Sequence, residues 1–110
     1  MLRFNPVQER DRMNSWLSVN ANKAENLYVT HGALNGTINM VVTSDEMGEA
    51  CRELMNQFKN DIVKYAITYS GFIFINVELE LKTREQENKL IDIWDSYFNK
   101  NSEWIKKKVV

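Results

Sequence analysis

IVKYAITYSGFIFINVELEL, residues 62–81, decides how this chain folds. Two runs rich in β-branched and aromatic residues flank Ser70-Gly71, the signature of a β-hairpin. Successive strand residues alternate between faces, so the position of the turn fixes which side chains share a side. A turn at Ser70-Gly71 puts Ile62, Ala66, Ile73, Ile75, Val77, Leu79 and Leu81 on one face. Val63, Tyr65, Ile67, Tyr69, Phe72 and Phe74 then occupy the other. Both faces are apolar. One covers a core, and the second needs a cover from elsewhere in the chain or from another molecule.

Outward from this hairpin, the upstream sequence supplies a helix. Thr43-Ser44-Asp45-Glu46 reads as a capping box with acids in the first turn. Met47, Ala50, Cys51, Leu54, Met55 and Phe58 follow at helical spacing, and Asn60-Asp61 ends the run. Before it, LYVTHGAL-NG-TINMVVT carries Asn35-Gly36, the dipeptide of a type I′ hairpin turn. That turn pairs Ala33 with Ile38, His31 with Met40 and Val29 with Val42. Leu27, Val29, Ala33, Ile38, Met40 and Val42 then form a single apolar face. At the start, Asn5-Pro6 reads as an N-cap with proline at the first helical position. Phe4 stands outside it as a hydrophobic staple. This helix runs to about Ser18, with Val7, Met13, Trp16 and Leu17 apolar and a polar middle, QERDR, that places it at an edge of the domain.

Downstream, Thr83-Arg84-Glu85-Gln86 offers a second capping box. Leu90, Ile91, Trp94, Tyr97 and Phe98 line the helix that follows, and Ser102 caps a last turn with Trp104 and Ile105 before Lys106–Lys108. The order is α-β-β-α-β-β-α. It predicts one α+β domain over residues 1–110: a four-stranded, mainly antiparallel sheet with helices packed on it.

Composition narrows the function. The 110 residues suit one domain, and a formal charge of −1 offers no basic surface for nucleic acid or anionic lipid. Charges interrupt the apolar run that a signal peptide would need, and no run reaches membrane-spanning length. A single cysteine excludes an internal disulfide and a cysteine-based zinc site, which fits a reducing, cytoplasmic setting. Frequent asparagine is compatible with an AT-rich phage or mobile-element origin.

Chemistry-bearing residues are few. His31 and Cys51 are each the sole residue of their type and fall on inward faces of neighbouring elements, as a thiol–imidazole pair would. The plainer reading is a half-buried histidine and a small apolar cysteine. Glu78 with Glu80, and Asp92 with Asp95, read as solvated edges of amphipathic elements rather than acid–base pairs. Gly32, Gly36, Gly48 and Gly71 are isolated and mostly explained by turns, so no phosphate loop is present. The expectation is no catalytic residue, no cofactor and no metal.

In its element order, and in the ending LIDIWDSYFNKNSEWIKK, the chain resembles the type III secretion chaperone-like fold. Ile73 to Leu81 leading into Thr83 is similar to that family's last strand and helix entry. The family is usually acidic, whereas this chain is nearly neutral, and the leucine- and glycine-rich signature around the family's middle helix is missing. The resemblance implies a homodimer that wraps an unfolded effector segment along apolar sheet grooves.

The leading expectation is a small, non-catalytic cytoplasmic protein that binds another protein, as an inhibitor or immunity factor. Its contact surface is the aromatic side of the hairpin, Tyr65, Ile67, Tyr69, Phe72 and Phe74. Covering of that side by Met13 and Trp16 of the first helix, or a longer turn with another register, would make the patch structural. The alternatives are a chaperone-like homodimer, a small enzyme using His31 and Cys51, and a nucleic-acid-binding module.

Overall fold

A computed structural model describes residues 4–27, 38–70 and 73–98. Three helices and four strands follow the expected order: α1 (Pro6–Asn20), β1 (Glu25–Asn26), β2 (Ile38–Val42), α2 (Asp45–Gln57), β3 (Ile62–Ser70), β4 (Phe74–Leu81) and α3 (Arg84–Phe98). The fold is α+β, with helices packed on a four-stranded sheet of order β1-β3-β4-β2. Both long ladders, β2–β4 and β3–β4, are antiparallel, while the short β1 runs parallel to β3.

Side-chain caps start all three helices, although α2 is capped by Ser44 and not by the expected Thr43–Glu46 box. Asn5 Oδ1 accepts from Gln8 N–H at 3.0 Å, and Pro6 opens α1. Ser44 Oγ accepts from Met47 N–H at 3.1 Å ahead of α2. Thr83 and Gln86 form a complete capping box, with Thr83 Oγ1 accepting from Gln86 N–H at 3.1 Å and Gln86 Oε1 accepting from Thr83 N–H at 3.2 Å. One turn on, buried Glu87 Oε2 accepts the N–H of Leu81 at 3.1 Å, which ties the end of β4 to α3.

The decisive hairpin adopts a register different from the one its turn dipeptide suggests. Ser70 pairs with Phe74, whereas a two-residue turn at Ser70-Gly71 would pair Tyr69 with Phe72. Tyr65 consequently faces Leu79, Ile67 faces Val77, and Tyr69 faces Ile75. A second irregularity lies at the other end. Ile62 pairs with Leu81 and Lys64 with Glu80, leaving Val63 as an extra residue, a β-bulge. The bulge resets the alternation, so Ile62 also joins the Leu79–Leu81 side. Two apolar faces thus become one apolar face and one mixed polar face.

The hydrophobic effect explains the preference. In this register Tyr65 and Ile67 enter the core, at about 1.5–3 kcal/mol for each large side chain removed from water. The polar residues Lys64, Thr68, Asn76, Glu78 and Glu80 gather on the opposite face, where Lys64 and Glu80 are cross-strand partners of opposite charge.

The core joins alternate strand residues to the inward faces of all three helices. Ile38, Met40, Val42, Tyr65, Ile67, Ile75, Val77, Leu79 and Leu81 meet Met13 and Leu17 of α1, Cys51, Leu54 and Met55 of α2, and Leu90 and Trp94 of α3. β2 is one-sided as expected, with Ile38, Met40 and Val42 buried and Asn39 and Val41 exposed. α1 packs along β3, and its polar middle does not prevent this: Met13 and Leu17 are fully buried, and Val7 and Trp16 half-buried.

β1 was not anticipated: it lies just upstream of the expected hairpin, and it pairs with β3 at the sheet edge opposite β2. The Asn35-Gly36 turn, His31 and the pairs Ala33–Ile38, His31–Met40 and Val29–Val42 involve positions outside the described residues.

Candidate functional site

The register separates the five residues expected to form one contact surface. Tyr65 and Ile67 are core residues, 4% and 0% exposed, because the β3–β4 register turns them inward. Burial also raises the Tyr65 phenol above its ordinary pKa. Tyr69, at the outer end of the same strand face, is 41% exposed, and the Arg10 guanidinium of α1 stacks over its ring at 4.6 Å. Phe74 is half-buried on the opposite face beside Asn76, and Phe72 lies outside the described residues. Ile73, in the hairpin loop, is exposed. The aromatic side is therefore divided between core, rim and opposite face.

Cys51 lies on the inward face of α2, as its helical phase predicts, and is fully buried. Burial pushes its thiol well above the ordinary range; the nearby Glu9 carboxylate adds to this and Arg52 opposes it. Such a thiol stays protonated at neutral pH, whereas a nucleophilic cysteine needs the thiolate. His31 lies outside the described residues. Glu78 and Glu80 are half-buried on the polar sheet face. Asp95 departs from the solvated-edge expectation, being 5% exposed, while Asp92 is exposed. Among the described residues no group of three or more histidine, cysteine, aspartate or glutamate side chains is arranged to hold a metal ion, and no helix is long and apolar enough to cross a membrane.

Two features are legible in the structure and were not anticipated. The first is a buried ion cluster between α1 and α2. Glu9, 2% exposed, accepts from Arg52 Nε at 2.9 Å and from Arg12 Nη1 at 3.2 Å. Gly48 makes room for it: a Cβ at that position would lie 2.9 Å from Glu9 Cδ and Oε1. Gly48 is therefore a close-approach glycine inside α2, not a turn residue. The sequence signal was present, because Glu9 is in phase with Pro6, Met13 and Leu17 on the buried stripe of α1.

The second is a groove of about 430 Å³ between β2 and α3, lined by Asn39, Val41, Thr43, Met47, Ile91, Trp94, Asp95 and Phe98. Trp94 and Phe98 form its aromatic wall, ring centroids 4.7 Å apart and tilted by 56°. Tyr97 stands edge-on to Phe98 at 6.0 Å and is half exposed. Among the described residues β2 is bonded to β4 alone, and its Asn39 and Val41 line this groove. The apolar positions of α3, 90, 91, 94, 97 and 98, span about 120° of the helix circumference, the width of an ordinary core-facing stripe, so the sequence carries no separate trace of the groove.

Searches against protein-family models, curated proteins and solved structures return no match to this chain.

Proposed function

We propose that this chain is a non-catalytic protein-binding domain that holds an extended apolar segment of a partner protein in the groove between β2 and α3. The observation that carries the reading is the groove itself, with five of its eight lining residues apolar. Val41, Met47, Ile91, Trp94 and Phe98 offer apolar and aromatic contacts, and Asn39, Thr43 and Asp95 offer polar groups beside them. The buried, protonated Cys51 favours binding over thiol catalysis. An inhibitor or immunity role fits a domain that acts by occupying a partner.

A photo-crosslinking residue at Val41, compared with one at the exposed Val19 on α1, tests the reading in cells of the natural source. The expected result is an adduct at position 41, and not at 19, to an apolar segment of one protein. A synthetic peptide of that segment should bind the purified chain, with affinity reduced at least tenfold by Phe98→Ala in a variant whose circular dichroism is unchanged. No adduct at 41, or equal adducts at both positions, contradicts the proposal. An adduct between two copies of this chain would replace it with the homodimer that the chaperone resemblance implies.

A further inference from the structure

A second concavity lies at the C-terminal end of α1 and shares no lining residue with the groove. Three separate segments build it: Asn20, Ala21, Asn22, Lys23 and Ala24 after α1, Lys59, Asn60 and Ile62 at the entry to β3, and Lys82 just past β4. Its volume is about 330 Å³, within the range of small-molecule sites. Three lysines from distant positions converge on it, and no carboxylate lines it. The ion pairs found among the described residues all involve arginine, so Lys23, Lys59 and Lys82 are without carboxylate partners there. Each lysine has an acid two residues away, Glu25, Asp61 and Glu80, and none of the three lines the cleft; the Asp61 backbone carbonyl accepts from Lys82 N–H at 2.9 Å, which fixes Lys82 beside the 59–61 turn.

In a chain of net charge −1, this convergence is a local positive centre. The C-terminus of α1 would oppose an anion through its carbonyl dipole. Two of its carbonyls are already engaged: Ala21 N–H donates to Leu17 O at 2.8 Å, and Asn20 Nδ2 donates to Trp16 O at 2.9 Å. The side-chain amides of Asn22 and Asn60 supply further donors. Lysine binds phosphate as a point charge, and several together suit a polyanion. The apolar part of the lining is Ala21, Ala24 and Ile62, with no aromatic ring on which a base would stack.

We propose that this cleft binds a small phosphate-bearing anion, of the size of a pyrophosphate or a phosphomonoester without a base. The site is separate from the groove and does not depend on the protein-binding reading. Titration of the full-length, isotope-labelled chain with sodium pyrophosphate at fixed ionic strength, followed by amide chemical shifts, tests it. Saturable shifts are expected at Asn22–Ala24, Lys59, Asn60 and Lys82. Lys59→Gln and Lys82→Gln should each weaken binding several-fold, and together at least tenfold, with thermal unfolding unchanged. Shifts that do not saturate, or binding unaltered in the double variant, would overturn the site. Equal affinity for citrate would overturn the assignment to phosphate. Tighter binding of a short oligothymidylate than of pyrophosphate would assign the lysines to a nucleic-acid backbone instead.

Discussion

Ile67→Ala is expected to lower the free energy of unfolding by about 3 kcal/mol, the cost of emptying a fully buried aliphatic site. Ile67 lies in the middle of β3, opposite Val77, within the cluster that also includes Met13, Leu17 and Met40. α1 is anchored along this strand, so the surroundings have little freedom to collapse into the space. The adjacent Thr68→Ala serves as the control. Thr68 is half-buried on the other sheet face opposite Asn76, and its truncation should change stability by no more than about 0.5–1 kcal/mol. Urea denaturation of both variants gives the comparison directly. A hairpin turned at Ser70-Gly71 would not bury Ile67 opposite Val77, and the two substitutions would then cost similar, small amounts.

Arg52→Met should destabilise the chain by about 3 kcal/mol through a different mechanism. It keeps much of the side chain's apolar stem but removes the closest charge on Glu9, whose carboxylate is 2% exposed. Arg12 is then the remaining ion-pair partner, and its side chain is 47% exposed and spans a single helical turn. An inadequately compensated buried charge is costly, whereas replacing both members of a buried pair with apolar groups is often neutral. Glu9→Leu/Arg52→Met should therefore be more stable than the Arg52→Met single variant, with a coupling of about 2 kcal/mol in the double-mutant cycle. Additive losses would show that the pair contributes no mutual stabilisation. Leucine in place of Glu9 must still fit over Gly48, where a Cβ would already approach within 2.9 Å of the present side chain.

Local chemistry was the most legible part of the fold. Asn5, Ser44 and Thr83 all cap helices because the hydrogen bonds involved span three residues and need no tertiary information. The order of elements and the one-sidedness of β2 followed from periodicity for the same reason. The β3–β4 register did not, because alternation within each strand is unaffected by sliding one strand against the other. Ser70-Gly71 marks a turn without fixing its length, and a bulge at Val63 leaves no mark on a pattern already rich in apolar residues. Every surface assignment that depended on pairing the strands consequently changed, including that of Tyr65 and Ile67.

The other omissions have related causes. Glu9 belongs to the buried stripe of α1, but its acceptance there depends on Arg52, forty-three residues away, and on the missing side chain of Gly48. Lys23, Lys59 and Lys82 carry no shared pattern, since only the closing of α1 and β4 onto the 59–61 turn brings them to one cleft. The groove was not legible: the apolar stripe of α3 has the width of an ordinary core contact, and the opposing wall, Val41 and Met47, came from β2 and the start of α2.

The register of β3 against β4 determines which residues are core and which are available to a partner. Cross-strand nuclear Overhauser effects between backbone protons in the labelled protein test it most directly. The structure requires contacts between Ile67 and Val77 and between Tyr65 and Leu79. Contacts of Ile67 with Phe74 and of Tyr65 with Asn76, the pairing of a two-residue turn at Ser70-Gly71, would contradict it.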